Sequence, residues 1–394
     1  MDVIRLDDAY LGDSLVEGYT SMIWTERLLE NGEFELKTAE VEATKNLLPE
    51  GAHISLLDSY EVMTVETHEI SVDSAGNPEL TVTGRSFETF LENRVALPTT
   101  YQQPWAAIKP YTLSELVSFI LWNNLVNATG QDPSRTAWTQ DDRTELPHVI
   151  VTDSTTITQP SAERWLKEGE MYSQLREFLG LGGLGVRNIR PYHSIANAVS
   201  FDTSATSYRG DVLHMLDMDV QDLRLDVYNG LDRRYTQSVN EPVIFHYDSG
   251  HIDNPKYLFS SKELKTMATV SMDTGPVNVY PETGLTPPSV IPEGLDRRIL
   301  FMDGGSQGTM DPADFLASNV QKALIELSKH NRQFLFDGAI SAVSPYKYGQ
   351  EYALGDQVSL IAQYGFESSM IVVEYVRTED HEGDRGYPTL ILSS

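Results

Sequence analysis

The 394-residue chain has no cysteine, which excludes disulfides, thiolate metal sites and cysteine nucleophiles. Basic residues are also scarce, with 29 Lys and Arg against 58 Asp and Glu, so the formal net charge is −29 at pH 7. Binding to nucleic-acid phosphates without regard to sequence needs many lysines and arginines, and so does a helix that lies on anionic lipid. The charge balance therefore argues against both as stable partners.

Long apolar runs are missing as well. The longest one near a predicted helix, residues 116–122, is far shorter than the roughly 20 residues that cross a bilayer. The first residues, MDVIRLDD, lack the basic and then apolar pattern of a signal peptide. With 40% hydrophobic residues the chain has enough apolar side chains for folded cores. We expect a soluble multidomain protein made without an export signal. Acidity is also typical of halophilic proteins, but only 22% of the residues are charged.

The first 98 residues predict a β module. Apolar and polar residues alternate with a period of two around Phe34 and Leu36, and again along residues 54–56 and 80–82. Residues 62–72 carry apolar side chains on both faces, which predicts a twisted strand covered on both sides. Short strands at this spacing, separated by glycine-containing turns, are typical of a small barrel or sandwich.

The middle of the chain reads as mixed α/β. Pro98, Pro104 and Pro110 mark its start, and Thr112 with Glu115 forms a capping box that predicts a helix. A strand is expected over residues 148–151 and a helix over residues 170–179. Further mixed and mostly β structure is expected over residues 195–280, followed by a Pro/Gly-rich connector over residues 281–294.

A long helix is predicted after Asp311, a suitable N-cap, because Pro312 fits the first helical position. From residue 334 the pattern returns to strands. The chain is therefore predicted to be a β-rich α+β protein with several domains. They are an N-terminal β module (1–98), a mixed middle region with room for two subdomains (99–310), a connecting helix (311–333) and a C-terminal β module (334–394).

Residues 180–185, GLGGLG, match the GxGxxG pattern of dinucleotide sites. Such a site needs a strand before the glycines and a helix after them, so that the pyrophosphate meets the helix N-terminus. Here a predicted helix comes first and a predicted strand follows. We interpret Gly180 instead as a left-handed helix C-cap.

The densest group of metal-type ligands is His246, Asp248, His251 and Asp253. Histidine and aspartate at close spacing can bind zinc or manganese if at least three converge, while the alternative is a polar turn around Gly250. The stretch His214, Asp217, Asp219 and Asp222 lacks the glycine and the closing glutamate of a calcium loop. We interpret that stretch as an acidic surface, and we assign neither metal nor cofactor to the chain.

Catalytic motifs are missing from the sequence. There is no GxSxG, and His68-Glu69 is not followed by a second histidine at HExxH spacing. Among 58 aspartates and glutamates, pairs of carboxylates occur in any case, so they do not indicate a catalytic site. The 19 tyrosines are consistent with an interface, a sugar-binding surface or ordinary sheet packing. We predict that the chain is not an enzyme. A cell-wall hydrolase that uses the His246–Asp253 group or a carboxylate pair, and a carbohydrate-binding protein that uses surface tyrosines, remain as alternatives.

Six segments of the sequence form a familiar ordered combination. They are YTSMIWTER (19–27), GEFEL (32–36), EVMTVE (61–66), GRSFE (84–88) with Leu91, Arg94 and Val95, YALGDQV (352–358) and VVEY (372–375). Together they resemble the tail hub proteins of siphovirus-type phages that infect Gram-positive bacteria. These hubs are related to the N-terminal module of tail-associated lysins and to the hubs of contractile tails. The resemblance is best over the first 95 and the last 60 residues, and no motif in it is a catalytic signature.

The resemblance implies a homotrimer in which each chain supplies two small β-barrel-like modules to a pseudo-sixfold ring. It also implies a virion protein at the tail tip, made in the host cytoplasm. Its implied partners are the hexameric tail tube, the distal tail protein, tail-tip or fibre proteins and the tape measure protein. Because the chain ends at Ser394, enzymatic or receptor-binding parts are expected on other proteins.

The net charge fits this expectation in one respect. Three copies carry a charge of −87, three times −29, around a central channel. Acidic groups that face the channel would repel passing DNA, so that the DNA slides without binding. DNA is therefore expected as a transient cargo and not as a ligand.

Overall fold

The computed structural model describes thirteen stretches of the chain. Pro98, Pro104 and Pro110, which mark the predicted start of the middle region, lie outside them. The stretches are residues 1–72, 76–96, 105–108, 112–121, 124–125, 146–155, 164–167, 169–191, 222–309, 311–341, 344–361, 367–381 and 383–392. The chain divides into a main unit, Met1–Lys256 with Phe336–Ser394, and an inserted unit, Tyr257–Leu335. The predicted boundaries after residues 98, 310 and 333 stay a prediction.

Most of the regular structure consists of strands, which confirms a β-rich fold. In chain order they are β1 Val3–Leu6, β2 Gly12–Val16, β3 Tyr19–Arg27, β4 Glu33–Thr38, β5 His53–Leu56, β6 Met63–Val72, β7 Pro78–Ser86, β8 Val95–Ala96, β9 Trp105–Ile108, β10 Val149–Asp153, β11 Arg164–Lys167, β12 Gly169–Glu170, β13 Gly185–Ile189, β14 Leu223–Tyr228, β15 Ile244–His246, β16 Ile252–Ser260, β17 Met267–Met272, β18 Val277–Val279, β19 Ile299–Gly305, β20 Gln333–Ile340, β21 Gln357–Ile361, β22 Glu367–Asp380 and β23 Gly383–Leu392.

Helices are fewer. The α-helices are α1 Val41–Leu47, α2 Leu113–Leu121, α3 Met171–Gly182 and α4 Pro312–Ser328, and 3₁₀ helices occupy Phe87–Asn93, Tyr247–Ser249 and Gly294–Asp296.

Thirteen strands form one continuous sheet that contains both ends of the chain. Its order is β16-β20-β23-β22-β3-β4-β7-β6-β5-β1-β2, and β15 joins it through β21, which pairs with β22. One edge of β22 serves two partners, because residues 367–371 pair with β21 and residues 374–379 pair with β3. Its other edge pairs with β23. The long strand β22 therefore connects the N-terminal strands to the C-terminal ones.

The seven N-terminal strands curl around one core, and the strands predicted from the period of two are confirmed as β4, β5 and β7. In the described residues, however, no sheet closes into a barrel, because β2 pairs only with β1 and β3 uses its second edge for β22. The barrel-like form expected for the two terminal modules is therefore not observed, and strands of both modules share one open, curled sheet. The core of the curl includes Val3, Val16, Trp24, Phe34, Leu36, Ile54, Val65 and Val82.

Strand β6 differs from its prediction as a strand covered on both sides. Met63 and Val65 at its start are buried, but Ile70 and Val72 near its end are 51% and 64% exposed. The outer half of β6 pairs with β7 on one edge, and among the described residues no strand pairs with its other edge, because β5 reaches only Met63 and Thr64. Apolar side chains on both faces therefore do not mark a covered strand here.

A second core lies between two helices and a three-stranded sheet in which β14 is parallel to β10 and antiparallel to β13. The predicted capping box is confirmed at the start of α2. The backbone N–H of Thr112 donates to Glu115 Oε2 at 2.9 Å, and the backbone N–H of Glu115 donates to Thr112 Oγ1 at 3.1 Å. These two bonds satisfy amide groups that the first turn leaves free.

Helix α3 confirms the predicted helix but not its predicted end. It runs through Gly182, and the residue in the left-handed conformation is Gly183, with φ 60°. Gly180 lies within the helix and is not its C-cap. With three glycines in four residues, the sequence does not show which one terminates the helix.

The inserted unit is a three-stranded sheet, β18-β17-β19, with α4 packed on one face. The predicted start of this helix is confirmed, since Asp311 accepts a hydrogen bond from the backbone N–H of Ala313 at 2.9 Å and Pro312 takes the first position. The predicted apolar stripe also packs as expected. Ala323 and Leu327 lie in the core, with partly buried Leu316, Val320 and Leu324 around them.

Two glycine substitutions in the main unit test its packing, and they should change the free energy of unfolding in opposite directions. A Cβ at Gly84 on β7 would lie 1.9 Å from the backbone oxygen of Thr64 and 2.6 Å from a ring carbon of Phe34. We expect Gly84→Ala to lower the free energy of unfolding by about 1–3 kcal/mol or more, as overpacking does. Gly180→Ala is the control, because this helical position has no neighbour within 4 Å of the added Cβ. The control should gain about 0.5–1 kcal/mol. Urea denaturation monitored by circular dichroism measures both, and an unchanged midpoint for Gly84→Ala would contradict the packing.

Candidate functional site

Three glutamates from the segments that carry the family resemblance lie near one another in the main unit. They are Glu26 on β3, Glu61 just before β6, and Glu88 in the 3₁₀ helix after β7. We call them the carboxyl cluster, because the charges of Glu26 and Glu88 both act on the carboxyl group of Glu61.

Glu26 is only 6% exposed and is held by neutral donors. Its Oε1 accepts hydrogen bonds from the indole N–H of Trp24 at 3.0 Å and from the hydroxyl of Ser59 at 2.9 Å. Its Oε2 accepts a bond from the hydroxyl of Tyr348 at 2.6 Å. These three bonds replace water around a buried carboxyl group, which would otherwise be costly to bury.

Glu88 is 5% exposed and is tied to β13 through Asn188. The Asn188 side-chain amide donates to Glu88 Oε1 at 2.7 Å, and its carbonyl oxygen accepts a bond from the backbone N–H of Val62. Burial raises the pKa of Glu88, while the Asn188 hydrogen bond acts in the opposite direction. Asn188 therefore links three segments that are distant in sequence.

The pKa of Glu61 is raised well above the usual range of a glutamate. Burial is the largest cause, and the neighbouring charges of Glu26 and Glu88 add to it, while Arg187 opposes them. The folded protein therefore favours the neutral, protonated form of Glu61.

A cleft of about 660 Å³ opens beside the carboxyl cluster within the main unit. Arg377 on its wall forms a bidentate pair with Asp58, with both distances 2.9 Å. The rings of Tyr348 and Tyr375 stack with centroids 3.9 Å apart and 12° between their planes. In all, five tyrosines line the cleft: Tyr60, Tyr228, Tyr346, Tyr348 and Tyr375.

The cleft joins the N-terminal strands, the middle sheet and the segment before β21. Arg187 on β13 pairs with Asp226 on β14 at 2.9 Å and covers the ring of Tyr228 at 4.4 Å. Chemically the arrangement is a set of buried polar cross-links around Glu61, whose carboxyl group has a raised pKa. Glu26 is two residues from Trp24 on β3 and therefore shares its inward side, which is a signal in the sequence, whereas no such signal marks Glu61 or Glu88.

The group proposed as a weak metal site is spread over several elements. His246 ends β15, Asp248 lies in the following 3₁₀ helix and Asp253 lies on β16, with its side chain outside the described residues. His251 Nδ1 lies 3.1 Å from the backbone oxygen of Ile244, and its ring meets Tyr346 edge-on. In the part of the chain that the structure describes, no group of three or more His, Asp or Glu is placed to hold a metal ion. The assignment of no metal to the chain, with this group as the alternative, stays a prediction.

The other motifs are placed as follows. Residues 180–185 run from the end of α3 into the start of β13, so a helix precedes this glycine-rich segment and a strand follows it, as predicted. His214, Asp217 and Asp219 lie outside the described residues, whereas Asp222 lies 3.4 Å from His148. Among the described residues no helix is long and apolar enough to span a membrane.

A family model of siphovirus ReqiPepy6 Gp37-like proteins matches residues 4–387 of the chain. No curated protein matches the sequence.

Solved structures share the fold along nearly the whole chain. A tail protein from Neisseria meningitidis MC58 has a TM-score of 0.53 at 10% identity, covering 100% of this chain and 96% of its own. The 43 kDa tail protein of prophage MuSo2 from Shewanella oneidensis has a TM-score of 0.54 at 13% identity, with coverages of 99% and 98%. Prophage tail protein gp18 from Listeria monocytogenes EGD-e has a TM-score of 0.51 at 11% identity, with coverages of 99% and 94%. At these identities the similarity shows the fold alone.

The raised pKa of Glu61 predicts a pH-dependent stability. Above the ordinary pKa of 4.5, the unfolded chain releases the proton of Glu61, whereas the folded protein keeps it. The free energy of unfolding therefore falls as the pH rises from 4.5 through the pKa of Glu61 in the folded protein. We expect Glu61→Gln to remove this loss. The free energy of unfolding of the variant should rise relative to wild type between pH 5 and pH 8 by about 1.4 kcal/mol per unit of pKa shift within that window.

Urea denaturation across this pH range measures the difference. Glu17→Gln is the control, because it removes one acid at an exposed position and should leave the pH profile of stability unchanged. Parallel profiles for Glu61→Gln and wild type would contradict the prediction.

A second substitution tests the bond between Tyr348 and Glu26. Tyr348→Phe leaves one oxygen of a buried carboxyl group without its donor, so we expect it to cost about 1–3 kcal/mol of stability. Tyr235→Phe makes the same chemical change at a tyrosine that is 48% exposed and bonded to Glu367, and it should cost less than about 0.5 kcal/mol. If both changes shift the denaturation midpoint equally, the buried bond between Tyr348 and Glu26 contributes no more to stability than the exposed bond between Tyr235 and Glu367.

Proposed function

We propose that this chain, which belongs to the siphovirus ReqiPepy6 Gp37-like family, is a structural protein that forms the hub at the distal end of a phage tail. The observation that carries the proposal is the family match over residues 4–387, which includes almost the entire chain. The fold supports it, because tail proteins share this fold from end to end. The proposal gives the chain no catalytic role and no cofactor.

In the proposed assembly three copies form a ring that adapts sixfold to threefold symmetry. Each copy contributes an N-terminal β module (1–98) and a C-terminal one (334–394), so that three chains present six β modules to a hexameric tail tube. The pairing of β3 with β22 supports this arrangement, because it fixes the two modules of one chain in a single sheet. Any symmetry between the modules then comes from sheet curvature and not from barrel closure.

The proposed neighbours follow from the same arrangement. The tail tube and the distal tail protein contact the pseudo-sixfold side of the ring, and tail-tip or fibre proteins contact the threefold side. The tape measure protein and then the DNA pass through the centre. The charge of −87 on three copies supports a wall that repels DNA as it passes.

A hub must also keep its shape while it carries load between these neighbours. The buried bonds of Glu26 join β3 to Tyr348, more than 300 residues later in the chain. The Arg377–Asp58 pair joins β22 to the turn after β5. Such cross-links between distant segments support a rigid structural role.

Size-exclusion chromatography with light scattering tests the proposal directly. At micromolar concentration we expect a mass of three times 44.1 kDa, and negative-stain class averages with threefold symmetry. A stable monomer without ring-shaped particles would overturn the hub proposal, whereas family membership would stand.

A further inference from the structure

The inserted unit has an unusual share of uncovered apolar side chains. Of the sixteen large apolar residues that are exposed in the described part of the chain, eight lie within Tyr257–Leu335. Phe301 is 70% exposed, Val290 is 80% exposed and Leu295 is 95% exposed. Scattered apolar residues are normal on a surface, but a concentration of them in one small unit is typical of an interaction site.

The sheet of the inserted unit explains where part of this surface lies. Helix α4 covers the face that carries Ala268, Val270 and Met302. Because side chains alternate along a strand, Ile299 and Phe301 of β19 point to the opposite face. In the β17–β19 register Phe301 stands opposite Thr269, which in turn bonds to Asn278 on β18 at 2.9 Å. We call this side of the sheet the open face.

The outer edge of β19 is also available for pairing. Among the described residues β19 pairs only with β17, so its other edge presents backbone N–H and C=O groups. Free edges are usually protected by proline, by lysine or by a covering segment, because they pair with other chains. Strand β19, ILFMDGG, contains neither proline nor lysine.

Charge is distributed unevenly between the two units. Residues 257–335 contain seven Lys and Arg and nine Asp and Glu, a net charge of −2. The remaining residues therefore carry −27 of the total of −29. Two copies of this chain repel each other most strongly where their main units face one another and least where their inserted units do.

We propose that the open face and the β19 edge of the inserted unit contact the inserted unit of a second copy of this chain. The inference rests on the proposed hub, which requires copies to associate, and it adds a contact between inserted units to the ring of β modules. A strongly basic partner would be drawn to the acidic main unit, whereas a second acidic copy meets the least repulsion at the near-neutral, apolar unit. In a ring of three copies, each contact joins two different surfaces of neighbouring inserted units. The β19 edge of one copy therefore does not have to pair with the β19 edge of the next.

Phe301→Asp tests the contact, because it places a charge in the proposed interface without touching the core under α4. We expect the dissociation constant of the trimer to increase at least about tenfold, because burial of an unpaired charge is costly. Val239→Asp is the matched control, because Val239 is 88% exposed in the main unit, and it should leave the oligomeric mass unchanged. Light scattering gives the mass, and circular dichroism shows that each variant is folded.

A second measurement does not depend on disrupting the contact. The chain has no cysteine, so Phe301→Cys and Val239→Cys each introduce a single thiol. We expect maleimide to label residue 301 at least about tenfold more slowly than residue 239 in the trimer, because a buried thiol is inaccessible, and equally fast after dilution to monomer.

The outcomes separate the two proposals. A trimer in which Phe301→Asp still assembles and Phe301→Cys reacts freely overturns this interface but keeps the hub. A wild-type chain that stays monomeric overturns both. Protection of residue 301 together with loss of the trimer in Phe301→Asp supports both.

Discussion

The pairing of β3 with β22 is the contact on which most of the structure depends. It joins residues 22–27 to residues 374–379 in one antiparallel ladder, so that the two ends of the chain become a single sheet. The same strand carries the buried carboxyl group of Glu26, whose donors come from β3 itself, from Ser59 and from Tyr348. Because each of those donors must stay in place for Glu26 to remain satisfied, the ladder also fixes the segments that surround it.

Local features of the fold could be predicted from the sequence, and long-range ones could not. The alternation in β4, β5 and β7, the capping box at Thr112 and the N-cap at Asp311 are confirmed, because each depends on residues within a few positions. The resemblance to siphovirus tail proteins is also confirmed, by the family match. The carboxyl cluster was not predicted, since nothing distinguishes Glu61 or Glu88 among 58 acids until the fold brings them together. Barrel closure was expected but not observed, because strand patterns do not show which partner an edge will take.

The two units differ in charge and in the exposure of their apolar side chains. The main unit combines high negative charge with buried polar cross-links, and its charge would repel nucleic-acid phosphates. The inserted unit is small, almost neutral and rich in exposed apolar side chains, which favours association. All copies in the proposed trimer would have the same charge, so separating these properties would let one chain be both strongly acidic and able to contact its own copies.

The separation of β3 and β22 in sequence also has a consequence for synthesis. The ribosome reaches residue 374 about 350 residues after it has completed β3. At about 5–20 residues per second, one edge of β3 therefore stays without its partner for roughly 20–70 s. During this time the N-terminal strands can fold, but β3 is an open edge that can pair with another nascent chain on the same messenger. The speed of translation thus decides how long the growing chain is exposed to mispairing.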